Sequence, residues 1–174
     1  MCETGPKPTK PYCFVSYSTR EPHVSLVIDC LRVVLGKQFR VEPTPSALES
    51  GASQRDQITE LIDGCAFGVV ILDGLRPNVV FEYGILHGKD KPVILLREDK
   101  ATVDIPGFYG DAAGLQINPV GIDLDKCFSD VKDVNYARWN RFDLAGTVKV
   151  IWEEYCKKRE RIEGYVEIEE PKLW

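Results

Sequence analysis

The sequence predicts a single α/β domain: a three-layer sandwich with a central, mainly parallel sheet of about five strands between helices. Three observations support this fold class. Short apolar runs alternate along the chain with segments of helical periodicity, which is typical of βαβ units. One run, residues 67–72, is apolar or glycine throughout, as expected of a strand buried on both faces of a parallel sheet. The length of 174 residues suits one domain with a sizeable core.

The first elements follow one another in a regular order. Residues 12–17 (YCFVSY) predict a buried strand rich in aromatic residues. Pro22 and Gly36 suit the first and the closing position of the helix that follows it. Residues 39–41 predict the second strand, and residues 42–52 predict a long loop rich in turn residues.

The elements of the second half alternate in the same way. Ser53 is a suitable N-cap for the second helix, which precedes the strand at residues 67–72. Residues 78–87 predict a third helix and residues 92–96 a fourth strand. The last predicted elements are a strand at 115–118, a helix at 124–131, an edge strand at 134–139 and a long amphipathic helix at 142–162.

The chain is expected to contain one folded domain and two tails. Residues 1–11 predict a flexible N-terminal tail that is polar and proline-rich, without the apolar core of a signal peptide. Residues 12–163 predict the folded domain, and residues 164–174 an acidic C-terminal tail. Neither an internal repeat nor a linker indicates a second domain.

Composition excludes several classes of function. The net charge of −5 argues against direct binding to nucleic acid or to anionic membranes. No apolar run approaches the ~20 residues that a membrane-spanning helix needs. The six cysteines form no CxxC pair and there are only two histidines, so we expect no metal site. Free cysteines within apolar runs are typical of a reducing compartment, so a cytoplasmic location is expected.

Polar residues follow the predicted strands at the edge where open parallel sheets bind ligands. We expect the loop of residues 17–20, Asp73 and Glu82 to line one cleft at this edge. Asp73 and Asn78 also suit a turn and a helix cap, which are common roles for these residue types. The candidate substrate-binding residues are Ser16, Tyr17, Ser18, Arg20, Asp73, Arg76 and Asn78.

Glu82 is the candidate catalytic residue. It lies in the predicted third helix among apolar and aromatic residues, where an ionised carboxylate without a partner is costly. The neighbouring Phe81 is expected to point into the core, because adjacent helical residues face about 100° apart. Neither GxGxxG nor GxxxxGK[ST] occurs, so a dinucleotide cofactor of the Rossmann type and a P-loop are both unsupported.

Two segments resemble known families. YCFVSYSTREPHVSLVIDCLRVVL resembles the opening strand, loop and helix of Toll/interleukin-1 receptor (TIR) domains. RPNVVFEYGILHGKDKPVILL is similar to a segment of bacterial TIR-like predicted nucleotide-binding proteins. The block from Asp73 through GKDKPV also resembles nucleoside 2-deoxyribosyltransferases. The resemblance covers roughly residues 12–97, and the second motif is the more specific one.

The resemblance implies a flavodoxin-like fold and cleavage of an N-glycosidic bond. It implies that Glu82 is the catalytic residue and that NAD or a related nucleotide is the substrate, with no cofactor. In the TIR enzymes the bond between nicotinamide and ribose is broken. The resemblance further implies self-association or an activating partner, and the role of an effector module in a bacterial antiviral defence system.

Departures from both families leave alternatives open. Phe81 and Tyr83 flank Glu82, where the TIR enzymes of animals and plants commonly carry a tryptophan nearby. Residues 76–78 (RPN) stand where deoxyribosyltransferases usually have a turn of small residues, which favours the TIR-like side. The alternatives are a nucleoside 2-deoxyribosyltransferase, and a non-catalytic module that binds a nucleotide or self-associates for signalling.

Overall fold

In a computed structural model, the residues described are 10–19, 21, 23–43, 53–73, 76–99 and 136–164. The strands are β1 (Tyr12–Ser16), β2 (Arg40–Pro43), β3 (Phe67–Ile71), β4 (Val93–Glu98) and β5 (Ala137–Trp139). The helices are α1 (Val24–Leu35), α2 (Gln54–Gly64), α3 (Pro77–Gly88) and α4 (Leu144–Glu163). The predicted strand at 115–118, the predicted helix at 124–131 and both predicted tails, apart from residues 10, 11 and 164, lie outside the described residues.

The five strands form one parallel sheet in the order β2-β1-β3-β4-β5. The predicted fold class is therefore confirmed, with β3 in the middle of the sheet and β5 at one edge. This is the strand order of flavodoxin-like sheets, in which the chain reverses direction across the sheet between β1 and β3. At that switch point Ser16, the last residue of β1, lies opposite Val70 of β3.

Alternating side chains of the strands build two cores, one on each face of the sheet. Val69 and Ile71 of β3 belong to the larger core, which α1 and α4 cover. Phe14 of β1 and Val70 of β3 belong to the smaller core, which includes apolar residues of α2 and α3. The apolar run of β3 is thus explained, since helices cover both of its faces.

Local sequence determines several of the helix ends. Ser53 caps α2 as predicted, because its hydroxyl accepts a hydrogen bond from Asp56 N at 3.4 Å. Asp143 caps α4 in the same way, accepting from Gly146 N at 2.8 Å. Helix α1 begins at Val24 after His23, and Pro22, predicted at its first position, lies outside the described residues.

Three further observations concern membrane-spanning helices, metal sites and cysteines in the part of the chain that the structure describes. None of its helices is long and apolar enough to cross a membrane. Within the same residues no group of three metal-ligating side chains could hold a metal ion. The cysteines described are all free, and burial raises the pKa of Cys13 to about 12 and that of Cys65 to about 11. Such protonated buried thiols are unreactive.

Gly68 allows helix α3 to pack closely on the sheet. It lies in β3, opposite Phe14 of β1 and Val93 of β4. A Cβ atom at this position would lie 2.5 Å from Leu86 Cδ1, and Leu86 is fully buried in α3. Because residue 68 has no side chain, α3 can pack close to β3.

We expect Gly68→Ala to lower the free energy of unfolding by about 1–3 kcal/mol, as overpacked cores do. Either Leu86 must leave its rotamer or α3 must move away from the sheet. Urea denaturation measures the loss. Combining the change with Leu86→Ala, which makes room for the added methyl group, should cost less than the two changes summed. Strictly additive losses would show that this contact is not the cause.

Candidate functional site at the carboxyl edge of the sheet

Glu82 occupies a buried position on α3. The buried residues of this helix are Val79, Glu82 and Leu86, which lie on one stripe at helical spacing, and Glu82 is 2% exposed. The prediction that Phe81 points into the core is wrong, because its side chain is 47% exposed. Glu82 itself faces the sheet, so its neighbour, about 100° further round the helix, faces outward.

Ser16 is the polar side chain that approaches Glu82 from the sheet. Burial raises the pKa of the Glu82 carboxyl above its usual value, and the Ser16 hydroxyl opposes part of this rise. Ser16 is fully buried at the end of β1. The two groups interact without a hydrogen bond of normal geometry, since Ser16 Oγ and Glu82 Oε2 both lack a bonded partner.

Arg76 has a third buried polar atom of the same kind. It precedes Pro77 as the N-cap of α3, its side chain makes no capping hydrogen bond, and its Nε atom is buried without a partner. Within the described ranges, Ser16 Oγ, Arg76 Nε and Glu82 Oε2 are all of the buried side-chain nitrogen and oxygen atoms that lack a hydrogen-bond partner. Buried polar atoms without partners are rare and require an explanation, such as a bound ligand.

Glu82→Gln is expected to stabilise the protein at neutral pH. Because burial raises the folded-state pKa of Glu82, wild-type stability falls as the pH rises from the unfolded-state value through the folded-state value. The variant avoids this loss, so its advantage should be absent at acid pH and present at neutral pH. We expect a gain of ~0.5–2 kcal/mol, the usual size for a single stabilising substitution.

Melting temperatures measured between acid and neutral pH test this expectation. Glu60→Gln, at an exposed position of α2, is the matched control and should show no such dependence on pH. An advantage of Glu82→Gln that is equally large at acid pH would rule out the buried charge as its cause.

Asp73 lies in a different cluster, on the side of the larger core. Its Oδ1 atom accepts a hydrogen bond from Glu98 N at 2.7 Å, and its Oδ2 atom accepts one from Trp139 Nε1 at 2.7 Å. Burial raises the pKa of Asp73, and these two hydrogen bonds oppose the rise. Asp73 thus connects the end of β3 to the ends of β4 and β5.

Glu98 and Arg141 extend this second cluster. Both carboxylate oxygens of Glu98 accept hydrogen bonds from Arg141, through Nε and Nη2. The pair raises the pKa of the Arg141 guanidinium. His23 Nε2 lies 3.1 Å from Arg141 Nη2, which places the start of α1 beside the cluster. The fork of Arg141 is thus largely occupied by groups of the protein itself.

The structure divides the predicted site residues instead of gathering them in one cleft. Ser16, Arg76 and Glu82 carry the unpartnered atoms beside α3, whereas Asp73 is bonded to Trp139. The remaining residues are placed as follows: Tyr17 packs against the larger core, Ser18 is buried, Asn78 is exposed on α3, and Arg20 lies outside the described residues. Their roles in binding substrate stay predictions.

Sequence reasoning missed Glu98, Arg141 and Trp139. Glu98 ends an apolar strand at the same edge of the sheet, so the rule that selected Asp73 would also have selected it. Arg141 and Trp139 follow the stretch of residues 97–134, where the sequence pattern is less legible. A sequence pattern does not connect them to Asp73, which lies 66 residues before Trp139.

No family model matches this sequence, and no curated protein matches it. One solved structure that the chain resembles is titled "Structure of the activated Roq1 resistosome directly recognizing the pathogen effector XopQ (TIR domains)". The TM-score is 0.53 at 17% sequence identity, and the match covers 83% of this chain and 98% of the other. At this identity the likeness concerns the fold alone. The chain therefore has a TIR-like α/β fold.

Proposed function

We propose that this protein is a TIR-like NAD⁺ glycohydrolase in which Glu82 is the catalytic carboxylate. The observation that carries the proposal is the coincidence described above. The three buried polar atoms without partners in the described ranges belong to Ser16, Arg76 and Glu82, all of which the sequence had selected for the site. They come from β1 and α3 at the switch point of the sheet, where ligands of open parallel sheets bind.

The reaction breaks the bond between nicotinamide and ribose. The pyridinium nitrogen takes the bonding electrons and leaves as neutral nicotinamide, so the leaving group needs no proton. Positive charge then develops on the ribose, and water adds to it, giving ADP-ribose and releasing one proton. A buried carboxylate stabilises this oxocarbenium-like state electrostatically, or bonds to it as a nucleophile.

Burial has two consequences for this chemistry. It strengthens the attraction between the Glu82 carboxylate and the cationic ribose, because little water screens them. It also raises the pKa of Glu82, so the ionised form that the reaction needs is harder to maintain. The Ser16 hydroxyl counteracts the second effect.

We further propose that activity depends on self-association or on an activating partner, as an effector module of a bacterial antiviral defence system. The support is the TIR-like fold, together with the neighbouring structure, whose title describes TIR domains of an activated resistosome. The experiment described next distinguishes this proposal from two other functions. These are base exchange on deoxynucleosides, and nucleotide binding or self-association without catalysis.

The test is release of nicotinamide from NAD⁺, measured by chromatography for the dilute protein and for the protein clustered on an oligomeric carrier. Base exchange between deoxynucleosides is followed in parallel. We expect nicotinamide release in the clustered state. Base exchange without nicotinamide release would favour the deoxyribosyltransferase, and neither activity in either state would favour the non-catalytic module.

A further inference from the structure

We propose that Ser16 is a positioning residue, whose hydroxyl holds the Glu82 carboxylate at the switch point while Oε2 remains free for the substrate. The catalytic part of this inference rests on the proposed function. Its structural part, the coupling between Ser16 and Glu82, can be tested without any activity. It gives Ser16 a different role from the direct substrate binding that its strand-end position suggests.

The position of Ser16 determines what its hydroxyl can reach. It is the last residue of β1 and lies opposite Val70 in the parallel ladder. By strand alternation its side chain is on the same face as Phe14, which belongs to the core beside α2 and α3. That face carries Glu82, and Ser16 is 0% exposed there. The hydroxyl therefore lies on the side of the sheet that α2 and α3 cover.

Among the described side chains, the Ser16 hydroxyl lowers the pKa of the Glu82 carboxyl that burial raises. Burial and the Ser16 hydroxyl are the two causes of its altered pKa. Helix α2 packs against α3, yet none of its charged groups contributes, and neither do the titratable groups of α3 and β1. These groups are Arg55, Asp56, Glu60 and Asp63 on α2, Arg76, Tyr83 and His87 at α3, and Tyr12 and Cys13 on β1. Ser16 is thus the polar side chain that favours the charged form of Glu82.

The lack of partners for Ser16 Oγ and Glu82 Oε2 is consistent with two groups that form their hydrogen bonds when the ligand binds. A serine hydroxyl has one proton to donate, and an ionised carboxylate can accept several hydrogen bonds. Catalytic hydrogen bonds are often long or poorly aligned before the ligand is present, and they tighten in the complex. Glu82 Oε2 is buried without a hydrogen-bond partner, so this atom is available to contact the sugar.

The first experiment measures stability alone. Melting temperatures of wild type, Ser16→Ala, Glu82→Gln and the double variant are followed from acid to neutral pH. Because Ser16 supports the charged form, the rise in Tm caused by Glu82→Gln should be larger at neutral pH when Ser16→Ala is also present. At acid pH, where Glu82 is neutral, the two rises should be equal. Equal rises at every pH would overturn the proposal.

The second experiment measures kcat/KM for NAD⁺ in the assembled protein as a function of pH. Ser16→Ala should lower it about 10- to 100-fold at acid pH, the effect of losing one hydrogen bond to a charged group. The decrease in kcat/KM should become smaller as the pH rises, and KM should not change. Ser16→Thr keeps the hydroxyl and should restore the profile, whichever way its Tm moves.

The control variant and the outcomes separate this role from others. Val70→Ala, directly opposite Ser16, should lower Tm without moving the pH profile. A loss at Ser16→Ala that is independent of pH and appears in KM would make Ser16 a substrate ligand and overturn the proposal. Coupling in the stability experiment without NAD⁺ cleavage would support the pairing of Ser16 with Glu82 and end the proposed function.

Discussion

Glu82→Gln is expected to lower the rate of nicotinamide release by about 10²–10³-fold, the typical effect of removing one preorganised electrostatic contact. Glutamine has nearly the same shape as glutamate but no charge, so it can fill the buried position without stabilising a cationic ribose. The measurement is the initial rate of nicotinamide release at saturating NAD⁺, with the protein in its assembled state. The effect should appear in kcat, since the charge develops in the transition state.

The design separates chemistry from folding. Glu82→Gln should also raise Tm at neutral pH, so an inactive variant cannot be explained by unfolding. Glu60→Gln, on the exposed face of α2, makes the same chemical change away from the site and should keep full activity. If the assembled Glu82→Gln protein released nicotinamide as fast as wild type, Glu82 would not be the catalytic residue.

Trp139→Ala is expected to lower the free energy of unfolding by about 3–5 kcal/mol, as the loss of a large buried aromatic side chain does. Trp139 is 1% exposed in the larger core, and its indole donates to Asp73 Oδ2. The substitution therefore removes core contacts and also leaves a buried carboxylate oxygen without its donor. For a domain of this size, each 1 kcal/mol should lower Tm by roughly 2–4 °C.

Trp152→Ala is the matched control, because it removes the same side chain from a 46% exposed position on α4. Its cost should be much smaller. Trp139→Phe isolates the hydrogen bond, which we expect to contribute ~1–3 kcal/mol. Urea denaturation of the three variants gives the comparison. Similar losses for Trp139→Ala and Trp152→Ala would show that the link between β3 and β5 does not stabilise the fold.

The strands and their order follow from properties that the sequence displays directly. The run of apolar residues and glycine at 67–72 is typical of a strand covered on both faces, and Phe67–Ile71 form β3 at the centre of the sheet. Ser53 was correctly predicted to start α2, because capping depends on the side chain of a single residue. These are local effects, so local sequence predicts them.

The face of α3 could not be predicted in the same way. Apolar and aromatic residues lie nearly all around this helix, so its periodicity does not choose which side faces the sheet. Packing determines which side of α3 faces the sheet. Gly68 leaves space that Leu86 fills, and Glu82 lies on the same side of the helix as Leu86. Phe81 is exposed as a result.

The role of Asp73 depended on a contact distant in the sequence. Its strand-end position was correctly predicted, but its partner Trp139 lies 66 residues further along the chain. Strand alternation would have placed Asp73 in phase with Val69 and Ile71, toward the larger core. That phase, together with a nearby indole, is what separates Asp73 from Glu82.

The attachment of β5 has a consequence for how the chain folds. The hydrogen bond between Asp73 and Trp139 joins residues 66 positions apart. The paired residues of β1 and β3 are 54 positions apart, and those of β4 and β5 are 41 positions apart. Loop-closure entropy rises only slowly with loop length, by about 0.6 kcal/mol per doubling, but it must be lost before these distant contacts form. The three residues of β5 bond to a single neighbouring strand at the edge of the sheet. The β1–β3 and β4–β5 pairings therefore lose similar loop-closure entropy, but the three residues of β5 gain few backbone hydrogen bonds in return. We therefore infer that β5 joins the sheet after the central strands.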